Sequence, residues 1–139
     1  MTSDEPSPDV PGDIVHKPFV FSGALFGAAA VCLGAFGAHA LAEVMSDRQV
    51  EVWDTAVQYQ LVHALGLLLC GLLAREESAR SLRVAGWCFG LGMLLFSGSL
   101  YWLALGGPRF LGPVTPLGGV AFIAGWLALA ISARPGRRV

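Results

Sequence analysis

Charged side chains along this chain fall between four long uncharged runs. No Asp, Glu, Lys or Arg occurs in 18–42, 55–74, 84–108 or 110–133. A helix rises about 1.5 Å per residue and a bilayer core is about 30 Å thick, so about 20 apolar residues cross it. Each run reaches that length. In lipid every backbone N–H and C=O must find its partner inside the protein, which selects the helix for such a segment. The pattern predicts an all-α fold, a transmembrane four-helix bundle, with helices at about 19–42, 55–74, 82–105 and 116–133. Thr115 stands where an N-cap would open the fourth helix, with Pro116 as its first residue. The preceding GGPRFLGPVTPLGG, residues 106–119, is too rich in Gly and Pro to be regular helix throughout and is expected at the membrane interface.

Lipid tails are as apolar as leucine, so membrane helices associate by close packing and hydrogen bonding, through faces of small and polar residues. Steps of three and four residues mark such a face on each helix. It is Ala28, Cys32, Ala35 and His39 on the first, and Ala56, Tyr59, His63, Gly66 and Cys70 on the second, with Gln60 beside it. It is Gly86, Gly90, Ser97 and Tyr101 on the third, and Gly118, Ala121, Gly125, Ala128 and Ser132 on the fourth. Leu61, Leu65, Leu68 and Leu72 form the opposite, lipid-facing side of the second helix. Gly23/Gly27 and Gly86/Gly90 match G-x-x-x-G, and with Gly34, Gly118 and Gly125 they are the expected helix-packing glycines.

Composition agrees with the pattern. Only 14% of the 139 residues are charged and 55% are hydrophobic, at a mean hydropathy of +0.63; an ordinary soluble domain is roughly 25% charged. A net charge of −1 offers no basic patch for nucleic acid. Cys32, Cys70 and Cys88 lie in three different runs and read as small packing residues, with no zinc-type spacing. The A-x-A of AHALAEV resembles a signal-cleavage site, but the run before it is too long and its N-terminal flank too acidic, so the segment is read as a retained helix. Residues 1–18, with four prolines and four acids, read as a disordered tail, and 134–139 as a basic tail. Lys17, Arg75, Arg80, Arg83, Arg134, Arg137 and Arg138 would share one side of the membrane, against Arg48 and Arg109 on the other. The positive-inside rule then puts both termini in the cytoplasm. Trp53, Trp102 and Trp126 are aromatic-belt candidates at the outer interface, and Trp87 at the inner one.

The candidate chemistry is a polar cluster in the outer half: His39, Tyr59, Gln60, His63, Ser97 and Tyr101. Three readings apply. Such side chains hold helices in register by hydrogen bonds, about 0.6 kcal/mol each. Ionisable groups in a membrane also mark pathways, and two histidines would serve a small oligomeric transporter or proton-linked carrier. A metal or haem ligated by His39 and His63 is disfavoured by a depth offset of about 7 Å. The expectation is a non-enzymatic structural or interaction component, without cofactor or metal, in contact with the lipid bilayer and with further copies of itself or other membrane proteins as partners; the alternative is the carrier.

Four ordered stretches, GAFGAHAL (34–41), WDTAVQYQLVHAL (53–65), LFSGSLYWLAL (95–105) and GPVTPLGGVAFIAGW (112–126), resemble the domain-of-unknown-function 423 family, YgdD-like small integral membrane proteins. The resemblance covers about residues 20–133. It implies a bacterial plasma (inner) membrane protein of about four helices, with no activity assigned. Its motif residues fall on Gly34, Gly37, His39, Tyr59, Gln60, His63, Ser97, Ser99, Tyr101, Thr115, Pro116, Gly118 and Gly119.

Overall fold

The computed structural model describes residues 15–74 and 79–134. Among them are α1 (Lys17–Phe36), extended by a π-helical turn (Gly37–Leu41), then α2 (Asp47–Leu73), α3 (Ala79–Ala104), a short 3₁₀ turn (Arg109–Leu111) and α4 (Val114–Ser132). The fold is all-α, and four helices are long and apolar enough to cross a membrane. The α1–α2 and α3–α4 connections share one end, here the loop end. The opposite, terminal end carries the start of α1, the finish of α2, the start of α3 and the finish of α4.

Several boundaries move from their expected places. α2 begins at Asp47, eight residues before 55, because a capping box starts it. Ser46 Oγ accepts from Gln49 N (3.4 Å) while Gln49 Oε1 accepts from Ser46 N (3.0 Å). This reciprocal pair satisfies two N–H groups that a helix start otherwise leaves bare. Glu51 and Asp54 therefore ride on helix, outside the apolar span. α4 begins at Val114, and Thr115 is not its N-cap: Thr115 Oγ1 instead meets Ser99 Oγ on α3 at 2.7 Å. α1 begins at Lys17, with Pro18 in its first turn. His16 N donates to Gly71 O of α2 (2.9 Å), so 15–18 are docked rather than part of a tail. Residues 1–14 and 135–139, the remainder of the expected tails, lie outside the described residues, as does Arg75.

α2 and α3 form the central pair. α1 lies along α2 and α4 along α3, and α1 and α4 do not pack along one another. The main core joins Phe19 of α1, Ala64, Leu67 and Cys70 of α2, Leu82, Ala85, Phe89 and Met93 of α3, and Phe122 of α4. A smaller cluster of Leu41, Trp53 and Ala104 closes the loop end.

Glycine notches let the helices approach. A Cβ at Gly23 would lie 2.8 Å from Leu68 Cγ and 2.9 Å from Leu68 N, and one at Gly71 would lie 2.9 Å from Val20 N. On the other side of the bundle, Gly118 is pressed against the Phe96 backbone, Gly92 against the Phe122 ring and Gly125 against the Phe89 ring. Gly86 receives the Phe19 ring, and Gly34 has Val57 Cγ1 at 3.2 Å from its absent Cβ. Gly27 and Gly90 have nothing within 4 Å, so each G-x-x-x-G pair contributes one packing glycine, not two.

The small-residue face of α1 is a correction. Ala28, Cys32, Ala35 and His39 all point outward. The buried face is Phe19, Gly23, Ala30, Gly37 and Leu41. α1 carries small residues on both sides, so size alone does not choose between them. The winning side offers notches of the right spacing for bulky side chains of α2: Leu68 at Gly23, Val57 at Gly34 and Trp53 at Gly37. On α2, Ala56, Gln60, His63, Gly66 and Cys70 are buried and Leu61, Leu65 and Leu72 exposed, with Leu68 turned partly inward onto α1.

Candidate functional site

Two of the buried polar side chains, Gln60 and His63, form separate nodes rather than one cluster. The first is Gln60, 5% exposed. Its Nε2 donates to Phe26 O of α1 (2.9 Å), and its Oε1 accepts from Tyr101 OH of α3 (2.9 Å). One amide thus ties three helices. A helical side chain leans toward its own N-terminus, so Tyr101, near the loop end of α3, reaches inward to Gln60 while its ring packs on Trp53 (centroids 4.7 Å apart). Trp53 is no interfacial anchor. It is 3% exposed, and its Nε1 donates to Leu33 O of α1 (2.9 Å). Gln49 adds a further tie, Nε2 to Ala104 O of α3 (2.9 Å).

The second node is His63, also 5% exposed. Its Nδ1 lies 2.6 Å from Tyr59 O, one turn back on α2, and its Nε2 lies 3.1 Å from Trp126 Nε1 of α4. A carbonyl only accepts and an indole N–H only donates, so Nδ1 carries the proton and Nε2 the lone pair. That is the neutral ring with both nitrogens engaged. The imidazole stacks on Phe122 with centroids 3.5 Å apart and 10° between planes. Phe89 packs edge-on against Trp126 at 5.0 Å. Trp126, 42% exposed and six residues before the end of α4, is the α4 partner of His63. Trp87 and Trp102 are exposed near the two ends of α3.

The remaining candidates add no side-chain hydrogen bond to either node. His39 faces outward on the π turn, so the two histidines of the expected cluster are not brought together. Tyr59 is 43% exposed, stacked on Phe96 at 4.5 Å. Ser97 is 1% exposed, and its hydroxyl has no hydrogen-bond partner among the described residues. His16, not singled out in the sequence, packs its ring on Phe19 at 4.1 Å. Among the described residues no group of three or more His, Cys, Asp or Glu is arranged to hold a metal.

Depressions on the described surface include two of note. One, at the loop end of α2, is lined by Asp47, Glu51 and Asp54 among others. The other, about 550 Å³, lies between α2 and α4, with Tyr59, His63, Phe96, Phe122 and Trp126 in its walls.

The functional residues that sequence reasoning missed are Gln49, Trp53, Phe122 and Trp126, together with the carbonyls of Phe26 and Leu33. A Ser-x-x-Gln capping box was there to be read for Gln49. For the carbonyls no signal exists, since every residue has one.

Comparison with known proteins agrees with this architecture. The family model described as "Protein of unknown function (DUF423)" matches residues 33–119, which hold both polar nodes except Phe26, Phe122 and Trp126. A UPF0382 membrane protein of Staphylococcus epidermidis is 48% identical over 116 residues, covering 84% of this chain and 94% of the relative. UPF0382 membrane protein YwdK of Bacillus subtilis is 47% identical over 118 residues, 84% of this chain and 96% of its own. A UPF0382 membrane protein of Staphylococcus haemolyticus is 49% identical over 116 residues, 84% of this chain and 94% of its own. No solved structure matches. With four spanning helices and a family model covering more than half its length, the chain is an integral membrane protein and belongs to the DUF423 family.

Proposed function

We propose that this protein is a non-enzymatic structural or interaction component of the bacterial plasma membrane, with both termini in the cytoplasm. The observation that carries the reading is Gln60, whose buried amide is used at both ends, on α1 and on α3. A polar side chain tied to three helices, with both its amide nitrogen and its amide oxygen engaged, holds them in register. His63 supports the same reading, with one nitrogen on its own helix and the other on α4. A carrier using His39 and His63 needs both imidazoles on one path; one points outward and the other is enclosed by Phe122 and Trp126. The orientation is supported by Lys17, Arg80, Arg83 and Arg134 at the terminal end, joined in the sequence by Arg75, Arg137 and Arg138, against Arg48 and Arg109.

The test is a flux measurement on sealed vesicles holding the purified protein. The expected result is that native protein and the His39→Gln/His63→Gln variant relax an imposed pH gradient equally slowly. Faster relaxation by the native protein, abolished in the variant, would establish the carrier and remove this reading. A C-terminal alkaline phosphatase fusion, active only outside the cytoplasm, is expected to be silent; activity overturns the orientation.

A further inference from the structure

Charge is sorted between the two ends of the bundle. Every acidic residue among the described ones, Glu43, Asp47, Glu51 and Asp54, lies toward the loop end, with Arg48 and Arg109. The terminal end has Lys17, Arg80, Arg83 and Arg134 and, among the described residues, no carboxylate. A surface of one sign repels itself and draws a segment of the other sign.

Part of that surface is one face of α3. Arg80, Arg83, Val84 and Trp87 follow one another at helical spacing and all are exposed, Trp87 by 65%. The core side chains of the same turns, Leu82, Ala85 and Phe89, point the other way, into the bundle.

The chain itself carries the complement. Residues 1–14 hold Asp4, Glu5, Asp9 and Asp13 with no Lys or Arg. Glu76 and Glu77, the other acids outside the described residues, have Arg75 beside them. The acidic segment is also delivered to the right place. His16 N is bonded to Gly71 O at the end of α2 (2.9 Å). Three residues on, the Phe19 ring fills the notch at Gly86 and stands edge-on to Trp87, with centroids 6.2 Å apart. Arg83 is about one helical turn, some 6 Å, from Trp87. Asp13 precedes His16 by about 10 Å of extended chain at most, and the whole segment reaches about 45 Å. A tether this short holds its charges at an effective concentration of about millimolar.

We infer that residues 1–14 dock on the Arg80/Arg83 face of α3, their carboxylates serving as its counter-charge, and so withhold that face from external anions. This contact is additional to the structural role proposed above and does not depend on which side of the membrane holds the terminal end.

Trp87 reports the contact. The full chain is prepared in uncharged dodecylmaltoside micelles with Trp102→Phe and Trp126→Phe, which leaves Trp87 as the exposed indole; Trp53 stays enclosed at 3% exposure. Cys32→Ala and Cys88→Ala leave only the buried Cys70, and Ser7→Cys carries a nitroxide, which quenches an indole at near contact. In about 0.01 M salt, where charges act over about 30 Å, Trp87 emission is expected to fall about twofold against a diamagnetic label, and in about 1 M salt, where they act over about 3 Å, to recover. Arg80→Gln/Arg83→Gln is expected to abolish the low-salt quenching. Arg48→Gln/Arg109→Gln removes the same charge at the loop end and is expected to keep it. Should the first variant lose its helical circular dichroism, Asp4→Asn/Glu5→Gln/Asp9→Asn/Asp13→Asn changes only residues ahead of α1 and is expected to abolish the quenching equally. Quenching that survives high salt, or that survives neutralisation in a folded variant, overturns the docking, as does an unquenched Trp87 in the parent at low salt. So does relief of the quenching by equimolar phosphatidylglycerol, which would give the arginines to an anionic lipid.

Discussion

α1 and α4 are both outer helices, each laid against one member of the central pair through glycine notches. The bonds that hold them differ in kind. α1 is held by side chains of α2 reaching its backbone: Gln60 to Phe26 O and Trp53 to Leu33 O. α4 is held side chain to side chain: Trp126 to His63 and Thr115 to Ser99, around a stack of Phe122, His63 and Tyr59. A helix carbonyl already accepts one bond along its own ladder and has a second lone pair. An outer helix of small residues, with few polar groups of its own, can still be fixed through those lone pairs. α4 is fixed by what its side chains present, Trp126 and Thr115.

The largest test of that contrast is at the notches. Gly118→Ala would set a Cβ against the backbone of Phe96, which has no rotamer to retreat to; Gly23→Ala would meet Leu68 Cγ as well as its N. Forcing atoms into a packed contact costs about 1–3 kcal/mol and sometimes more. Both variants are expected to lose stability in reversible unfolding in mixed micelles, Gly118→Ala by the upper end of that range or beyond and Gly23→Ala by less. The reverse order would mean that α1, not α4, makes the tighter backbone contact.

Next is Gln60→Leu. It removes two interhelical bonds, each about 0.6 kcal/mol on average and up to about 1.7 in membrane bundles, and strands the Tyr101 hydroxyl. A loss of about 1–3 kcal/mol is expected. Adding Tyr101→Phe should recover part of it, because the stranded group is then removed as well. Trp126→Phe is a smaller change: it deletes one bond to His63 while leaving a ring against Phe89, so about 0.6 kcal/mol is expected. If Trp126→Phe costs as much as Gln60→Leu, the two outer helices are not held differently.

How much of this was legible depends on where each partner lives. Four spans and an all-α bundle follow from charge-free runs, since lipid enforces that pattern directly. Gln60, His63 and Tyr101 are polar side chains at helical spacing, so their inward direction can be read from the chain. His39 lies on the same kind of stripe yet faces out, because α1 has two small faces and only the notch spacing against Leu68, Val57 and Trp53 selects between them. That is a property of α2 as much as of α1. Trp53 and Trp126 look like interfacial anchors on account of residue type. Trp53 is instead buried on a carbonyl of α1, and Trp126, 42% exposed, donates to an imidazole of α2; neither partner is adjacent in sequence. The start of α2 was readable from Ser46 and Gln49; the charges of its first two turns mask it when membrane span and helix are treated as one thing.

The smallest expected effect separates two readings of the glycine pairs. If G-x-x-x-G acts as a unit, then Gly27→Ala and Gly90→Ala should disturb packing as Gly23→Ala and Gly86→Ala do. The geometry says otherwise: the absent Cβ of Gly27 and that of Gly90 have nothing within 4 Å, whereas Gly86 is filled by the Phe19 ring. Substitutions away from any packed feature stay within about 0.5 kcal/mol, and alanine also relieves the conformational cost of a mid-helix glycine. Gly27→Ala and Gly90→Ala are therefore expected at native stability or slightly above it in the same unfolding measurement. A loss of 1 kcal/mol or more at Gly27, roughly the low end of an overpacked contact, would show that something covers this face of α1 in the membrane, and the outward stripe of Ala28, Cys32 and Ala35 would then belong to an interface.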